Sequence, residues 1–316
     1  MTAALSGMFT STRAAEPATS NSLPEPATFA DGIRTNRISF DRFDFAAAGY
    51  WDRRPDERLL WFAELQQHLT LATQNITTCD IADRRRYTDT FWLMQLIQSP
   101  DAATWSARTG AARARLASTD AELAALRPAP AARDWRVREL QRRYLIDQAI
   151  RDPSRLARWR SGLPAGTEML WDALEHTRSI AVDCDNTGWL RAQMRVIGWF
   201  DMLAYGAEAD SNAFYLIQHA DRTPEFQREV LATLIRLPPE KTSRRNIAFL
   251  TDRVARQTGA PQRYGSQGFC TPEGVWTPNE IEDEAHVDER RRAMGLEPMT
   301  ERIAEMSHAC APQPGT

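Results

Sequence analysis

Apolar residues recur at helical spacing through most of this chain, and this periodicity constrains the fold more than any other feature. Phe226, Val230 and Leu234, for example, line one face of a helix. Pro224, just before them, is typical of the first turn of a helix. The sequence therefore predicts a mainly α, multi-helix globular protein, with one small β-hairpin at 262–281 near the C-terminus.

Composition and proline signals divide the chain into three parts. Residues 1–35 are rich in Ala, Ser, Thr and Pro, so we expect a disordered tail or linker. Residues 36–130 form an N-terminal helical region that ends in a proline-rich linker. A second helical domain covers 134–309, where the pattern predicts helices at 135–151, 168–181, 187–197, 211–219, 224–236 and 246–258.

Charge and hydropathy argue against two classes of partner. The 316-residue chain has 39 basic and 42 acidic residues and a net charge of −3, so it has no general attraction for nucleic acid or anionic membranes. No apolar run approaches the roughly 20 residues that span a bilayer. The apolar N-terminal segment is short and follows no basic residue, so we expect a cytoplasmic location, with export to the periplasm as the alternative.

The cysteines lack the spacing of a metal or redox motif. Cys79, Cys184, Cys270 and Cys310 form no CxxC pair, which leaves zinc-ribbon and thioredoxin-like sites without support. An even number permits two disulfides in an oxidising compartment. In a chain of this length we expect four unpaired thiols instead.

A histidine at the end of a buried helix is the first candidate for chemistry. The run from Ala213 to Ile217 is apolar on every side, which predicts a buried helix with His219 at its C-terminal end. The helix dipole favours the charged imidazole and burial favours the neutral one, a balance suited to acid–base catalysis. Asp221 is expected to orient the imidazole or to accept the first amides of the next helix. In the structural alternative, His219 only caps helix carbonyls.

Metal binding at this histidine finds little support in the sequence. A His-x-Asp pair supplies two ligands, and no third is evident nearby in the sequence, so we expect no metal and no other cofactor.

Several short motifs follow one another in the order and spacing of a known family. They are Asp147-Gln148-x-x-Arg151, Gly198-Trp199-Phe200, Gln218-His219-Ala220-Asp221, Leu250-Thr251-Asp252-Arg253 and the segment from Gln262 to Gln267. This half of the chain resembles the bacterial family known as domain of unknown function 6624, which commonly has threonine at the position of Ser266. The resemblance implies a candidate site formed by these residues. It implies no reaction.

A polar stripe on one predicted helix is a candidate ligand-binding surface. Asp147, Gln148 and Arg151 share one face of the helix at 135–151 because they are spaced by three or four residues. The stripe fits either the polar wall of a pocket or a solvated face with an Asp147–Arg151 ion pair.

The segment around Gly265 is the second candidate ligand-binding surface. Gln262, Tyr264 and Gln267 surround this glycine, which permits a positive φ or the close approach of a ligand. Asp252 lies off the apolar stripe of the preceding helix and is also a candidate ligand-binding residue. In the structural alternatives, the segment is a bulged hairpin and Asp252 pairs at the surface with the arginine four residues later.

The sequence leaves two classes of function open. One is a pocket protein for a small polar or anionic ligand, which would act as a metal-independent acid–base enzyme if His219 is a general base. The other is a non-catalytic interaction or immunity-type protein in which the same residues only brace helices. The chain has no phosphate-binding glycine loop, nucleophile elbow or HExxH motif, and nothing marks Cys270 as an activated partner of His219.

Overall fold

Helices account for almost all regular structure in the part of the chain that the computed structural model describes, residues 22–69, 76–128 and 134–310. The α-helices within these ranges are α1 Pro26–Arg34, α2 Pro55–His68, α3 Ile81–Gln98, α4 Ala102–Ala125, α5 Trp135–Ala149, α6 Pro153–Arg160, α7 Glu168–Ile197, α8 Met202–Tyr205, α9 Ala207–Gln218, α10 Pro224–Arg236, α11 Arg244–Gln257, α12 Val287–Ala293 and α13 Met299–Cys310. Strands β1 Gly268–Cys270 and β2 Trp276–Pro278 form an antiparallel hairpin. The predicted mainly α fold with one small hairpin is confirmed. Within the described ranges, no helix has the length and apolar character needed to cross a membrane.

Several helices begin at the signals that the sequence carries. α10 starts at Pro224, as predicted, and α2 likewise begins at a proline, Pro55. The helices predicted separately at 168–181 and 187–197 are instead one continuous helix, α7. Residues 182–186 contain no proline or glycine that would end a helix there.

The chain divides into two compact units, each of which contains two separate segments. One unit comprises Met1–Leu126 and Gln148–Val182, and the other comprises Arg127–Asp147 and Asp183–Thr316. This division differs from the predicted single boundary at the proline-rich linker. It falls inside α5 and α7, and an unbroken helix gives no local sequence signal of a division.

The first unit is built around a cluster of aromatic side chains. Phe29 of α1 is fully buried. Its ring centroid lies 5.7 Å from Phe40, 5.0 Å from Phe43, 5.8 Å from Phe45 and 5.4 Å from Trp61. Such edge-to-face and tilted contacts add to the free energy gained from burial. The expected tail at 1–35 is therefore wrong over α1, where Phe29 and Ile33 supply apolar anchors. Residues 1–21 lie outside the described residues.

The core of the second unit surrounds α9. Ala213, Leu216 and Ile217 are at most 1% exposed, which confirms the predicted buried helix. Near the start of α9, the buried Asp210 accepts hydrogen bonds from Trp199 Nε1 at 2.7 Å, Thr242 Oγ1 at 2.7 Å, Asn246 Nδ2 at 2.8 Å and the Ser243 amide at 3.1 Å. These bonds fix α9, and with it the position of the residue that follows its last turn.

The hairpin is shorter than predicted, and a disulfide joins it to the last helix. The predicted span of 262–281 contains paired strands only at 268–278, with an isolated bridge between Gln262 and Ile281. Cys270 of β1 is bonded to Cys310 of α13, and none of the four cysteines is a free thiol. The expectation of four unpaired thiols is wrong. A disulfide-bonded Cys270 also cannot act as a nucleophile beside His219.

Candidate functional site

The imidazole of His219 and the carboxylate of Asp147 meet inside the second unit. His219 Nδ1 lies 2.9 Å from both Oδ1 and Oδ2 of Asp147. The Asp147 side chain is fully buried, whereas 18% of the His219 side chain is exposed. In this geometry Nδ1–H donates to Asp147, and Nε2 remains as the ring nitrogen that can accept a proton.

The backbone that carries His219 is fixed by a neighbouring glutamine. The His219 amide donates to the Tyr215 carbonyl at 3.3 Å as α9 ends. Gln227 of α10 is fully buried, and its Nε2 donates to the carbonyls of Ile217 at 2.8 Å and Gln218 at 3.3 Å. Gln227 thus bonds to the carbonyls at the end of α9. In the structural alternative, the imidazole of His219 would cap these carbonyls.

A second buried carboxylate lies beside this pair. Asp183 of α7 is 9% exposed, and its carboxylate forms a group with Asp147 and His219 in which one potential metal-ligand atom from each lies within 4.8 Å of the others. Arg222 Nη1 lies 3.8 Å from Asp183 Oδ2, a charge–charge contact beyond hydrogen-bond distance.

Sequence reasoning missed both Asp183 and Arg222. Asp183 lies 36 residues before His219, so no local spacing links them, and Arg222 stands in a loop without a motif of its own. The expectation of no metal depended on the sequence neighbours of His219, whereas the fold brings two distant carboxylates, from α5 and α7, beside it.

Asp221 takes part in a different polar network. Its carboxylate receives two hydrogen bonds from Arg253, from Nε at 2.8 Å and from Nη2 at 2.6 Å. Arg253 Nη1 also donates to Gln267 Oε1 at 2.9 Å, and Gln257 Nε2 donates to Asp221 at 3.2 Å. The residue that orients the imidazole is therefore Asp147, in place of the predicted Asp221.

The Asp252 side chain fixes the backbone of the segment at 262–267 through hydrogen bonds. It is fully buried and accepts hydrogen bonds from the amides of Arg263 at 2.8 Å, Tyr264 at 3.0 Å and Ser266 at 2.8 Å. The surface ion pair considered for Asp252 is therefore wrong. A buried carboxylate that accepts three backbone amides is a structural anchor.

The other predicted residues of this segment also serve its framework. Gln262 Nε2 donates to the Gln267 carbonyl at 2.9 Å, and Gln262 Oε1 accepts from the Gln267 amide at 2.6 Å. Tyr264 is 9% exposed and belongs to the core of the second unit. Gly265 has the positive φ of +63° that the sequence suggested. A Cβ there would lie 2.8 Å from Ile281 Cδ1 and 2.9 Å from Met299 Sδ, so the close neighbours of Gly265 are side chains of this chain.

The predicted stripe on α5 is split by the division into units. Asp147 belongs to the second unit, whereas Gln148 and Arg151 belong to the first. The Arg151 amide donates to the Gln148 carbonyl at 3.1 Å as the helix ends. Asp147 is the member of the stripe that contacts His219.

Tyr144 lies one helical turn before Asp147, and its ring is 5.4 Å from that of Tyr215. Burial raises the pKa of the Tyr144 hydroxyl, and the nearby Tyr215 and Asp147 act in the same direction. The phenol therefore stays protonated at neutral pH and remains a hydrogen-bond donor.

Comparison with protein families gives a match over the second half of the chain. The model described as "Family of unknown function (DUF6624)" matches residues 138–311, a range that includes Asp147, Asp183 and His219. No curated protein and no solved structure matches the chain.

Proposed function

The chain belongs to DUF6624, a family of unknown function, and we propose that its second unit binds a small polar ligand with His219 as the proton-accepting group. The observation that carries this proposal is the 2.9 Å contact of His219 Nδ1 with both oxygens of the fully buried Asp147. A carboxylate in this position holds one tautomer of the imidazole and stabilises the imidazolium that forms when Nε2 takes a proton.

The pair has two features of a general base. The partly exposed imidazole can meet a ligand, while the buried carboxylate behind it is shielded from water, which strengthens its interaction with a charged ring. α5 and α9 hold the two side chains, and hydrogen bonds of Gln227 and Asp210 fix α9, so the pair is positioned before a ligand arrives.

The polar part of the proposed ligand class is better supported than the anionic part. Arg222 and Arg253 would be the donors for an anionic group. Arg222 already lies 3.8 Å from Asp183, and Arg253 makes a two-bond contact with Asp221. An anion would have to compete with these carboxylates for either guanidinium.

The alternative is a non-catalytic interaction protein in which the Asp147–His219 pair only braces α5 against α9. The two functions differ in what His219→Ala removes. If His219 reacts with the ligand, His219→Ala abolishes the effect of the ligand. If the pair is only a brace, His219→Ala lowers the stability of the protein.

A thermal-shift screen of small polar and anionic compounds tests the proposal, because a ligand that binds the folded state raises the melting temperature. The chelator-treated parent is compared with His219→Ala and with His286→Ala. His286 is a matched control, since its Nδ1 lies 2.9 Å from Asp283 in a pair whose side chains are 59% and 46% exposed.

We expect compounds that stabilise the parent and His286→Ala but no longer stabilise His219→Ala. Shifts of the same size in all three proteins would contradict the proposal. So would a screen without stabilising compounds in which His219→Ala is strongly destabilised, since both results assign the pair to the scaffold.

A further inference from the structure

Three helices of the second unit bring together a set of side chains that can act as metal ligands. Asp147 from α5, Asp183 from α7 and His219 after α9 each place one oxygen or ring nitrogen within 4.8 Å of the other two. Two carboxylates and an imidazole are a mixed oxygen and nitrogen donor set.

The spacing of these atoms suits a single small ion. Zn²⁺ binds imidazole nitrogen and carboxylate oxygen at about 2.0–2.2 Å, so two ligands at the tetrahedral angle lie roughly 3.4 Å apart. The 2.9 Å between His219 Nδ1 and the Asp147 oxygens is within about 0.5 Å of this separation. Asp183 offers a carboxylate oxygen within 4.8 Å of a ligand atom of each of the other two residues, so it can supply the third ligand.

The burial of the carboxylates also favours a cation. The side chains of Asp147 and Asp183 are 0% and 9% exposed, so their charges are largely shielded from water. Keeping two like charges close together away from water is costly unless positive charge lies nearby. Arg222 supplies part of this positive charge, since its Nη1 lies 3.8 Å from Asp183 Oδ2.

We propose that Asp147, Asp183 and His219 form a binding site for a divalent first-row transition ion, with Zn²⁺ as the probe. The imidazole ligand favours such an ion over Mg²⁺ or Ca²⁺, which prefer oxygen ligands alone. The site goes beyond the proposed function and does not rest on it. An ion bound through Nδ1 replaces the hydrogen bond between His219 and Asp147, so the ion-bound and hydrogen-bonded forms are alternative states of the same residues.

Isothermal titration of the chelator-treated full chain with ZnCl₂ tests the site. We expect one ion per chain in the parent and an affinity more than about tenfold weaker in Asp183→Asn, since even residues behind the ligands typically change affinity by about 10–100-fold. Asp183→Asn leaves the Asp147–His219 contact in place, so weaker binding cannot be ascribed to a broken pair. Asp283→Asn is the matched control, because it alters the exposed Asp283–His286 pair, and it should bind Zn²⁺ like the parent.

A parent that binds no Zn²⁺, or equal affinity in the parent and Asp183→Asn, would overturn the proposal. Equal losses in Asp183→Asn and Asp283→Asn would overturn it too.

A measurement on the parent alone covers the case in which Asp183→Asn does not fold. Paramagnetic Mn²⁺ should broaden the imidazole NMR signals of His219 at concentrations that leave those of His286 sharp, and equal broadening of both would contradict the site. The ligand screen uses metal-free protein, so failure of the ion site and failure of the proposed function give different results.

Discussion

Among single residues, the surroundings of a buried carboxylate decide what it does. Asp147 contacts an imidazole at 2.9 Å on both oxygens and belongs to the site. Asp252 accepts three backbone amides and anchors a loop. Asp89 of α3 differs from both, because its nearest arginine contact is Arg85 at 4.0 Å. Burial raises the pKa of Asp89 to about 7, since Arg85 offsets the loss of hydration only in part and Asp41 adds repulsion.

Asp89 should therefore make the protein less stable as the pH rises. Above the unfolded pKa of 3.8 the unfolded chain loses this proton, while the folded state keeps it up to about pH 7. The free energy of unfolding then falls between about pH 4 and pH 7, by up to about 4 kcal/mol for a shift of about three pKa units. Asp89→Asn should raise stability at pH 8 by roughly 1–4 kcal/mol and flatten this dependence.

Urea unfolding at pH 4, 6 and 8 measures the effect of Asp89. Glu64→Gln, an exposed carboxyl on α2, should leave the pH dependence as it is in the parent. An unchanged slope in Asp89→Asn would show that Asp89 is ionised in the folded state at all three values.

Among the elements, α11 and the segment after it form one structural unit. Asp252 on α11 accepts the amides of Arg263, Tyr264 and Ser266. Arg291 of α12 donates to the Tyr264 carbonyl at 2.6 Å. The segment was a candidate ligand loop because polar residues surround a glycine. The Gln262 side chain instead bonds to the backbone of Gln267, a role that sequence cannot distinguish from binding.

Removal of the Asp252 carboxylate should destabilise the second unit. Asp252→Ala leaves three backbone amides without their acceptor, and those of Tyr264 and Ser266 are buried. At about 1–3 kcal/mol for each buried unsatisfied group, we expect a loss of roughly 2 kcal/mol or more. Arg256→Ala, an exposed position on the same helix, should change stability by less than about 0.5 kcal/mol. Chemical denaturation measures both. A well-folded Asp252→Ala protein with parental stability would contradict the role of Asp252 as an anchor and would again favour Asp252 as a ligand-binding residue.

For the molecule as a whole, the local sequence pattern predicts helices, but it does not predict contacts between residues that are far apart in the sequence. Local patterns predicted α9, α10 and the presence of the hairpin, although not its exact span, because neighbours in the sequence decide these elements. α1 was missed because the average composition of residues 1–35 hides the buried Phe29. Asp147 and His219 are 72 residues apart, and their contact depends on the packing of two helices. Both residues are candidates in the sequence analysis, but the sequence predicts that Asp221, the near neighbour of His219, orients the imidazole.

The disulfides affect the whole molecule and are directly measurable. In denaturant without reductant, iodoacetamide should modify none of the four cysteines, and after reduction it should modify all four. Intact-mass spectrometry counts the added groups, and labelling of Cys270 or Cys310 before reduction would contradict the disulfide between them. Because disulfides persist in oxidising compartments, we propose the exported location over the cytoplasmic one.

The central claim is that Asp147 holds one tautomer of His219, and ¹⁵N NMR of the imidazole tests it most directly. In the metal-free parent near neutral pH, the neutral His219 ring should carry its proton on Nδ1 and leave Nε2 unprotonated. Asp147→Asn, which removes the charged acceptor, should lose that preference while the exposed His286 ring keeps its parental spectrum. A His219 ring protonated on Nε2 in the parent, or one whose spectrum is unchanged in a folded Asp147→Asn protein, would contradict the account.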